Sequence, residues 1–342
     1  MLTCDHGASR CGCLPRRGVL AIAGAALAGG VRAQAAPHRI DVHHHLSPPA
    51  YLDAVGPQAS PPTRNWTPAR SLEDMDRAGV ATAMLSITTP GLWFGDAAQA
   101  ARLARACNEY AAGLVQAHPG RFGSFAALPL PDIDASLAEI AHALDVLKAD
   151  GVTLFTSYGG KWLGDPAFAP VLEELNRRRA VVYTHPASAA CCVDLVPGIP
   201  DPAIEFGTDT TRTIAQLLFS GAAARWPELR LIFSHAGGTM PFLIERFEFL
   251  ARDPAMRQRL AGGAVLPALR RFHYDTAQVS NPVAMGALLK LVPASQVVFG
   301  TDYPFRTSEE HVRGLAGCGL EAEALRAIER DNALAMLPRL RG

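Results

Sequence analysis

The sequence lacks any charge imbalance: 32 Lys and Arg residues balance 32 Asp and Glu over 342 residues, and no basic run occurs. Phosphate backbones require a clustered positive footprint, so nucleic acid is excluded as the main partner. No Gly-x-Gly-x-x-Gly follows the first apolar strand pattern, which removes the main support for a dinucleotide-binding sheet. No cysteine spacing resembles a zinc knuckle. Beyond the first 35 residues only Cys107, Cys191, Cys192 and Cys318 remain, and these read as buried or loop thiols rather than ligands. The 30 Gly and 26 Pro are scattered singly, which fits many short loops and excludes a low-complexity linker.

What is present is a large apolar fraction, 49% of residues, enough for a sizeable core without a disulfide framework. Residues 1–35 read as an export signal of the twin-arginine type. Arg16-Arg17 run into the apolar stretch 19–31, and Ala33-Gln34-Ala35 offers a small-x-small cleavage site. The stretch is too short and too rich in Gly and Ala to span a bilayer comfortably, so no stable membrane insertion is expected after cleavage. The expected location is the periplasm, and the expected mature domain is 36–342.

Within that domain, short apolar runs alternate with helical periodicity, the pattern of repeated βα units on a parallel sheet. Strands are expected at 40–43, 80–87, 122–128, 152–156, 180–184, 229–234, 272–276 and 297–300. Helices are expected over 96–117, 135–148, 168–179 and 208–225, with Asp96 and Asp134 as N-caps and Gly79 and Gly151 at helix-to-strand junctions. Eight strands are the number that closes a (β/α)8 barrel, so the expected fold is α/β, a distorted TIM barrel in a single domain. Long loops are expected at 46–71 and 187–206, over the catalytic face.

The chemistry lies at the strand ends. Asp41-Val42-His43-His44-His45 places two imidazoles two residues apart, so in a strand His43 and His45 share a face and His44 points away. Thr184-His185-Pro186, Ser234-His235-Ala236-Gly237-Gly238 and Gly300-Thr301-Asp302-Tyr303-Pro304 end later strands. In a barrel these ends meet at one rim, where imidazoles and a carboxylate can hold a divalent ion and leave a position for water. His43, His45, His185 and Asp302 form an N3O set, and His235 is left as acid or base beside the water. Asp41 reads as a structural group rather than a ligand. His118, His142 and His273 have no supporting neighbours and default to structural or exposed positions. Trp93, Tyr158 and Trp162 follow strands and are candidates for a pocket wall, although aromatic packing is the commoner fate.

On these motifs, the last extended to Phe305, together with His118-Pro119-Gly120-Arg121-Phe122 and Asp275-Thr276-Ala277, the chain resembles the amidohydrolase superfamily, in the branch typified by aminocarboxymuconate-semialdehyde decarboxylase. The resemblance covers most of residues 40–338. It implies a distorted barrel with one divalent metal, most often zinc, on His43, His45, His185 and Asp302, and a catalytic role for His235 and Asp302. It implies that a metal-bound water, activated by the histidine, serves decarboxylation of a small unsaturated or aromatic carboxylic acid. It also implies that Arg246 grips a substrate carboxylate, in some members from the neighbouring subunit of a homodimer; arginine suits such bidentate binding and lysine does not. Dinuclear relatives carry a carboxylated lysine at the end of the fourth strand. Here that strand reads Val152-Thr153-Leu154-Phe155-Thr156-Ser157, so a mononuclear site is expected. A second family arginine lies after the first strand, where Arg64 and Arg70 compete.

Two other functions stay open on the same residues. The barrel can hydrolyse a lactone, ester or amide, because the metal site does not decide between protonating a carbon and attacking a carbonyl. An inactive periplasmic metal- or ligand-binding barrel is the other. Two arginines facing the metal would favour a carboxylate substrate; a single polar clamp would favour the hydrolase.

Overall fold

A computed structural model describes residues 38–341. The export-signal reading of residues 1–35 lies outside them. The strands are β1 (Arg39–Leu46), β2 (Val80–Ile87), β3 (Phe122–Ala127) and β4 (Gly151–Phe155), then an antiparallel hairpin of β5 (Ser157–Tyr158) and β6 (Lys161–Trp162), then β7 (Val181–His185), β8 (Arg230–Phe233), β9 (His273–Asp275) and β10 (Val297–Val298). Without the hairpin, eight parallel strands form one sheet in the order β1-β2-β3-β4-β7-β8-β9-β10. Val42 N donates to Phe299 O at 2.9 Å, Asp302 N to His43 O at 2.8 Å and His45 N to Tyr303 O at 2.8 Å, which brings the last strand back onto the first. The architecture is the expected TIM-like barrel, nearly closed.

Between the strands lie α1 (Pro49–Val55), α2 (Pro61–Asn65), α3 (Pro68–Ala78), α4 (Ala97–Ala117), α5 (Ile133–Ala141), α6 (Ala169–Arg177), α7 (Glu205–Phe219), α8 (Ala222–Arg225), α9 (Ile244–Leu250), α10 (Pro254–Arg259), α11 (Val265–Leu269) and α12 (Pro282–Leu291), and α13 (Ser308–Ala316) follows the last strand. Leu46, Val80, Leu85, Leu103, Ile140, Leu172, Ile214 and Leu288 belong to the core packed between sheet and helices. Each such side chain, fully buried, stabilises the fold by about 1.5–3 kcal/mol. A second core fills the barrel itself: Ile40, Val42, Met84, Phe125, Val181, Tyr183, Ile232 and Val298, joined by Ala333, Met336 and Leu337 near the C-terminus.

Several expectations need correction. Residues 46–71 are not one loop: α1, α2 and the start of α3 occupy them. Their prolines sit in the first helical turn, where a missing N–H costs nothing, and Ser60 and Thr67 cap α2 and α3. The cap of α5 is Asp132, which accepts from Ala135 N at 3.0 Å; Asp134 lies in the first turn, where its charge suits the helix dipole. Asp96 does cap α4, and Gly79 ends α3 at φ 66°. The expected 208–225 helix is two, α7 and α8, broken at Gly221.

Candidate metal centre and its cavity

The β1 strand has to perform two tasks. Ile40 and Val42 fill the barrel, while His43 and His45 must reach its upper end, and in an unbroken pleat these pairs would face opposite ways. Pairing with β2 resolves this. Asp41 is opposite Ala83 and His44 is opposite Leu85, so three residues on β1 span two on β2. The extra residue is a bulge that re-aims the side chains beyond it. His44 then points away as expected, held by Asp41 Oδ2 at 3.0 Å and Ser71 Oγ at 2.9 Å and stacked on Tyr303. Asp41 is structural: it accepts from His43 N, Thr301 N and Thr301 Oγ1.

The metal-ligand atoms of His43, His45, His185 and Asp302 lie within 4.8 Å of one another, and all four residues are buried. His43 Nε2 is 3.1 Å from His45 Nε2, and each is 3.1 Å from Asp302 Oδ1. Ligands at about 2.0–2.1 Å around a tetrahedral ion stand roughly 3.3–3.4 Å apart, so this triangle has the size of a coordination face.

The second ring of contacts presents the right nitrogens. His43 Nδ1 meets Asp275 Oδ2 at 2.8 Å, His185 Nδ1 meets Pro186 O at 2.8 Å and His45 Nδ1 faces Ser86 O at 3.3 Å. With an Nδ1–H donating in each case, every Nε2 lone pair faces the centre. Asp275 is the hub. Fully buried, it accepts from His43 and Tyr183 on Oδ2 and from His235 N and Ala277 N on Oδ1.

The field matches this picture. Burial lowers the His43 pKa, but the charges of Asp275 and Asp302, with their hydrogen bonds, outweigh it and raise the value to about 10. His45 and His185 are lowered by burial, His185 strongly and with help from the neighbouring imidazoles. Burial raises the Asp302 pKa, yet His43, His235 and His45 hold it well below the usual carboxylate range. Two buried carboxylates against His45 and His185, both held toward the neutral form, make a site that suits a cation, which on binding would displace the second proton that His43 carries in its absence; the donor set fits one.

His235 begins the turn after β8 at φ 54°, and Asp302 follows β10 at φ 62°. His235 Nε2 is buried with no hydrogen-bond partner among the described residues and stands 3.7 Å from Asp302 Oδ2. The residue lines a cavity of about 770 Å³ at the C-terminal ends of the strands. Besides His185, His235 and Asp302, the walls include Thr88, Phe206, Gln278 and Phe305. Phe206 approaches the His185 ring edge-on at 5.9 Å and Phe305 the His45 ring at 5.8 Å.

Other anticipated residues lie elsewhere. Arg246 is exposed on α9 and is not among the residues lining the cavity. Arg64 and Arg70 are exposed as well and bond to backbone carbonyls of their own segment. Trp93, Tyr158 and Trp162 do not line the cavity. Trp93 is largely exposed, the Tyr158 hydroxyl accepts from Phe155 N, and Trp162 donates to the buried Asp209. The four cysteines among the described residues are free and belong to no ligand cluster there. Phe206, Gln278 and Thr88 escaped the sequence reading because no motif marks them; the available signal was only their position just after strand ends or, for Phe206, at the close of a strand-end loop, while Phe305 closes a motif behind the resemblance without having been read as a wall residue.

Comparison with known proteins agrees with this geometry. The chain is 38% identical over 315 residues to 6-methylsalicylic acid decarboxylase of Penicillium expansum, covering 89% of this chain and 97% of that protein. A crystal structure described as an amidohydrolase II superposes with a TM-score of 0.81 at 29% identity, over 88% of this chain and 99% of the other. The dihydroxybenzoic acid decarboxylase of Polaromonas sp. JS666, solved with manganese, shares the fold at 20% identity and TM-score 0.79, over 89% and 98% of the two chains. The amidohydrolase family profile matches residues 40–339. From the barrel, the strand-end centre and this match, the chain belongs to the amidohydrolase family.

Proposed function

We propose that the protein is a metal-dependent carboxy-lyase acting on a small aromatic acid that carries a hydroxyl group next to its carboxylate. The observation that carries this reading is the junction of a three-histidine, one-carboxylate centre with an aromatic-walled cavity lined by His235, whose Nε2 has no hydrogen-bond partner among the described residues. The acid in the Penicillium expansum relative's name is of this kind. His43, His45, His185 and Asp302 would hold the ion. Zinc suits the borderline donor set, and manganese, present in the Polaromonas barrel, is the competitor. When bound, the cation supplies a Lewis acid that neutralises and orients the acid group and acidifies a neighbouring water.

The chain's own residues supply the rest. Phe206 and Phe305 give the cavity aromatic walls against which a flat ring can pack. His235, protonated on Nε2, gives its proton to the ring carbon that bears the carboxylate. The bond from that carbon to the carboxylate then breaks, its electron pair restores the ring, carbon dioxide leaves, and the imidazole is left neutral. Asp302 Oδ2 stands 3.7 Å from His235 Nε2, on the side of the ring that faces the metal ligands. No arginine is among the residues lining the cavity, so the two-arginine criterion is not met within one chain. Arg246 enters the proposal as a clamp offered to the cavity of a second copy in a homodimer. Light scattering with Arg246→Ala tests it: a dimer whose KM rises supports the role, and a monomer with unchanged KM removes it.

The discriminating experiment compares carbon dioxide release from ortho- and meta-hydroxybenzoic acids with hydrolysis of an aryl lactone. Turnover of the ortho acid alone supports the proposal; lactone hydrolysis without carbon dioxide release would transfer it to the hydrolase. We further propose periplasmic location by the twin-arginine route, on the strength of Arg16-Arg17, the apolar run and Ala33-Gln34-Ala35. Fractionation with and without Arg16→Lys/Arg17→Lys tests it.

A further inference from the structure

Gln278 joins the cavity wall to the metal centre by a hydrogen bond to the Asp302 carboxylate oxygen that is not aimed at His43 and His45. Its Nε2 donates to Asp302 Oδ2 at 2.7 Å, and Arg306 Nη1 donates to its Oε1 at 3.3 Å. Its backbone N donates to His311 Nε2 at 3.0 Å, and His311 is itself buried with Nδ1 on Thr307 O at 3.1 Å. The residue sits at φ 61°, a left-handed conformation that a long side chain seldom adopts. His235, Ala236 and Asp302 share that conformation, so four of the seven non-glycine residues with positive φ among the described residues lie at one centre. Strain of this kind persists where surrounding contacts over-determine it.

We infer that Gln278 is a positioning residue that fixes the rotation of the Asp302 carboxylate, so that one oxygen serves the metal and the other serves His235. The two oxygens of a carboxylate are chemically equivalent, and rotation about the Cβ–Cγ bond exchanges them. Oδ1 is the oxygen within 3.1 Å of both His43 and His45, while Oδ2 takes the Gln278 amide and faces His235. A neutral donor suits this task. A lysine or arginine there would cancel the negative charge the cation needs, and a glutamate would repel Oδ2 toward the metal. Arg306 prevents the amide from flipping, because its guanidinium meets the amide oxygen and would face an NH2 group after a flip. Without this restraint Asp302 can turn both oxygens to the ion, raising its coordination number and removing the group that faces His235.

The test uses cobalt(II), whose visible absorption weakens as coordination number rises, in the full chain and two variants. Gln278→Met keeps the side-chain length without the donor, and Gln278→Gly accepts φ 61° at no steric cost, so at least one variant folds. Both are expected to hold one cobalt per chain with weaker, shifted bands. kcat should fall by about tenfold or more with KM within about threefold, as for loss of a hydrogen bond to a charged group. Spectra superimposable on the parent, or kcat within twofold of it, overturn the inference. Loss of the cobalt itself also overturns it, since Gln278 would then be needed to form the site. The turnover arm rests on the carboxy-lyase reading; if the parent releases no carbon dioxide, that reading falls and the cobalt spectra alone decide the role of Gln278.

Discussion

Asp275→Asn is the most informative substitution, because it changes one atom at a hub with four donors. Oδ1 receives His235 N at 2.8 Å and Ala277 N at 3.0 Å; Oδ2 receives His43 Nδ1 at 2.8 Å and the Tyr183 hydroxyl at 3.2 Å. An asparagine has one acceptor oxygen. If that oxygen keeps the two backbone N–H groups, the new NH2 confronts His43 Nδ1, and the imidazole must shift its proton to Nε2, the atom the metal needs. Losing such a partner behind a ligand histidine lowers metal affinity by about 10–100-fold, or about 1.4–2.8 kcal/mol. A buried donor left unpaired adds about 1–3 kcal/mol of lost stability. Competition against a chromophoric chelator measures the first effect, and thermal unfolding of chelated protein the second. An affinity within threefold of the parent would refute the reasoning that Asp275 sets the His43 tautomer.

Removal of a ligand acts differently from removal of the proton carrier. His185→Ala should abolish stoichiometric metal loading, read by elemental analysis; full loading would remove His185 from the ligand set. His235→Gln should keep the metal and lower kcat by about 10²–10⁴-fold, and retained turnover would end its proposed role. His273 bears on acid stability. Burial, assisted by Arg230, lowers its pKa to about 4, so as pH falls below the unfolded value of about 6.5 the unfolded chain binds a proton that the folded chain refuses. Its contribution, up to about 3 kcal/mol, is present above that value and lost as pH falls through the window. His273→Phe should flatten the loss of denaturation midpoint between pH 6.5 and 4, and an unchanged slope would contradict this.

The barrel was legible because each strand carries a short apolar run and each rim residue directly follows one. The ligands were legible for the same reason, together with the His-x-His spacing. Three things were not. The β1 bulge depends on pairing with β2, and a strict alternation rule would have set the barrel-filling Val42 and the ligand His43 on opposite faces without explaining how both point inward. The helices within 46–71 were hidden because their prolines read as loop markers, whereas proline is equally at home in a first helical turn. The roles of Asp275, although it stands in a motif behind the resemblance, and of Gln278 rest on contacts separated by 232 and 24 residues, which no local pattern reveals.

The most direct test of the central claim is a titration of chelator-stripped protein with zinc, and in parallel manganese, while carbon dioxide release from an ortho-hydroxybenzoic acid is followed. The account predicts activity that rises linearly and breaks at one ion per chain, and that stays absent in His185→Ala. Release that is independent of added metal, or a break at two ions, would contradict a single catalytic centre built from His43, His45, His185 and Asp302.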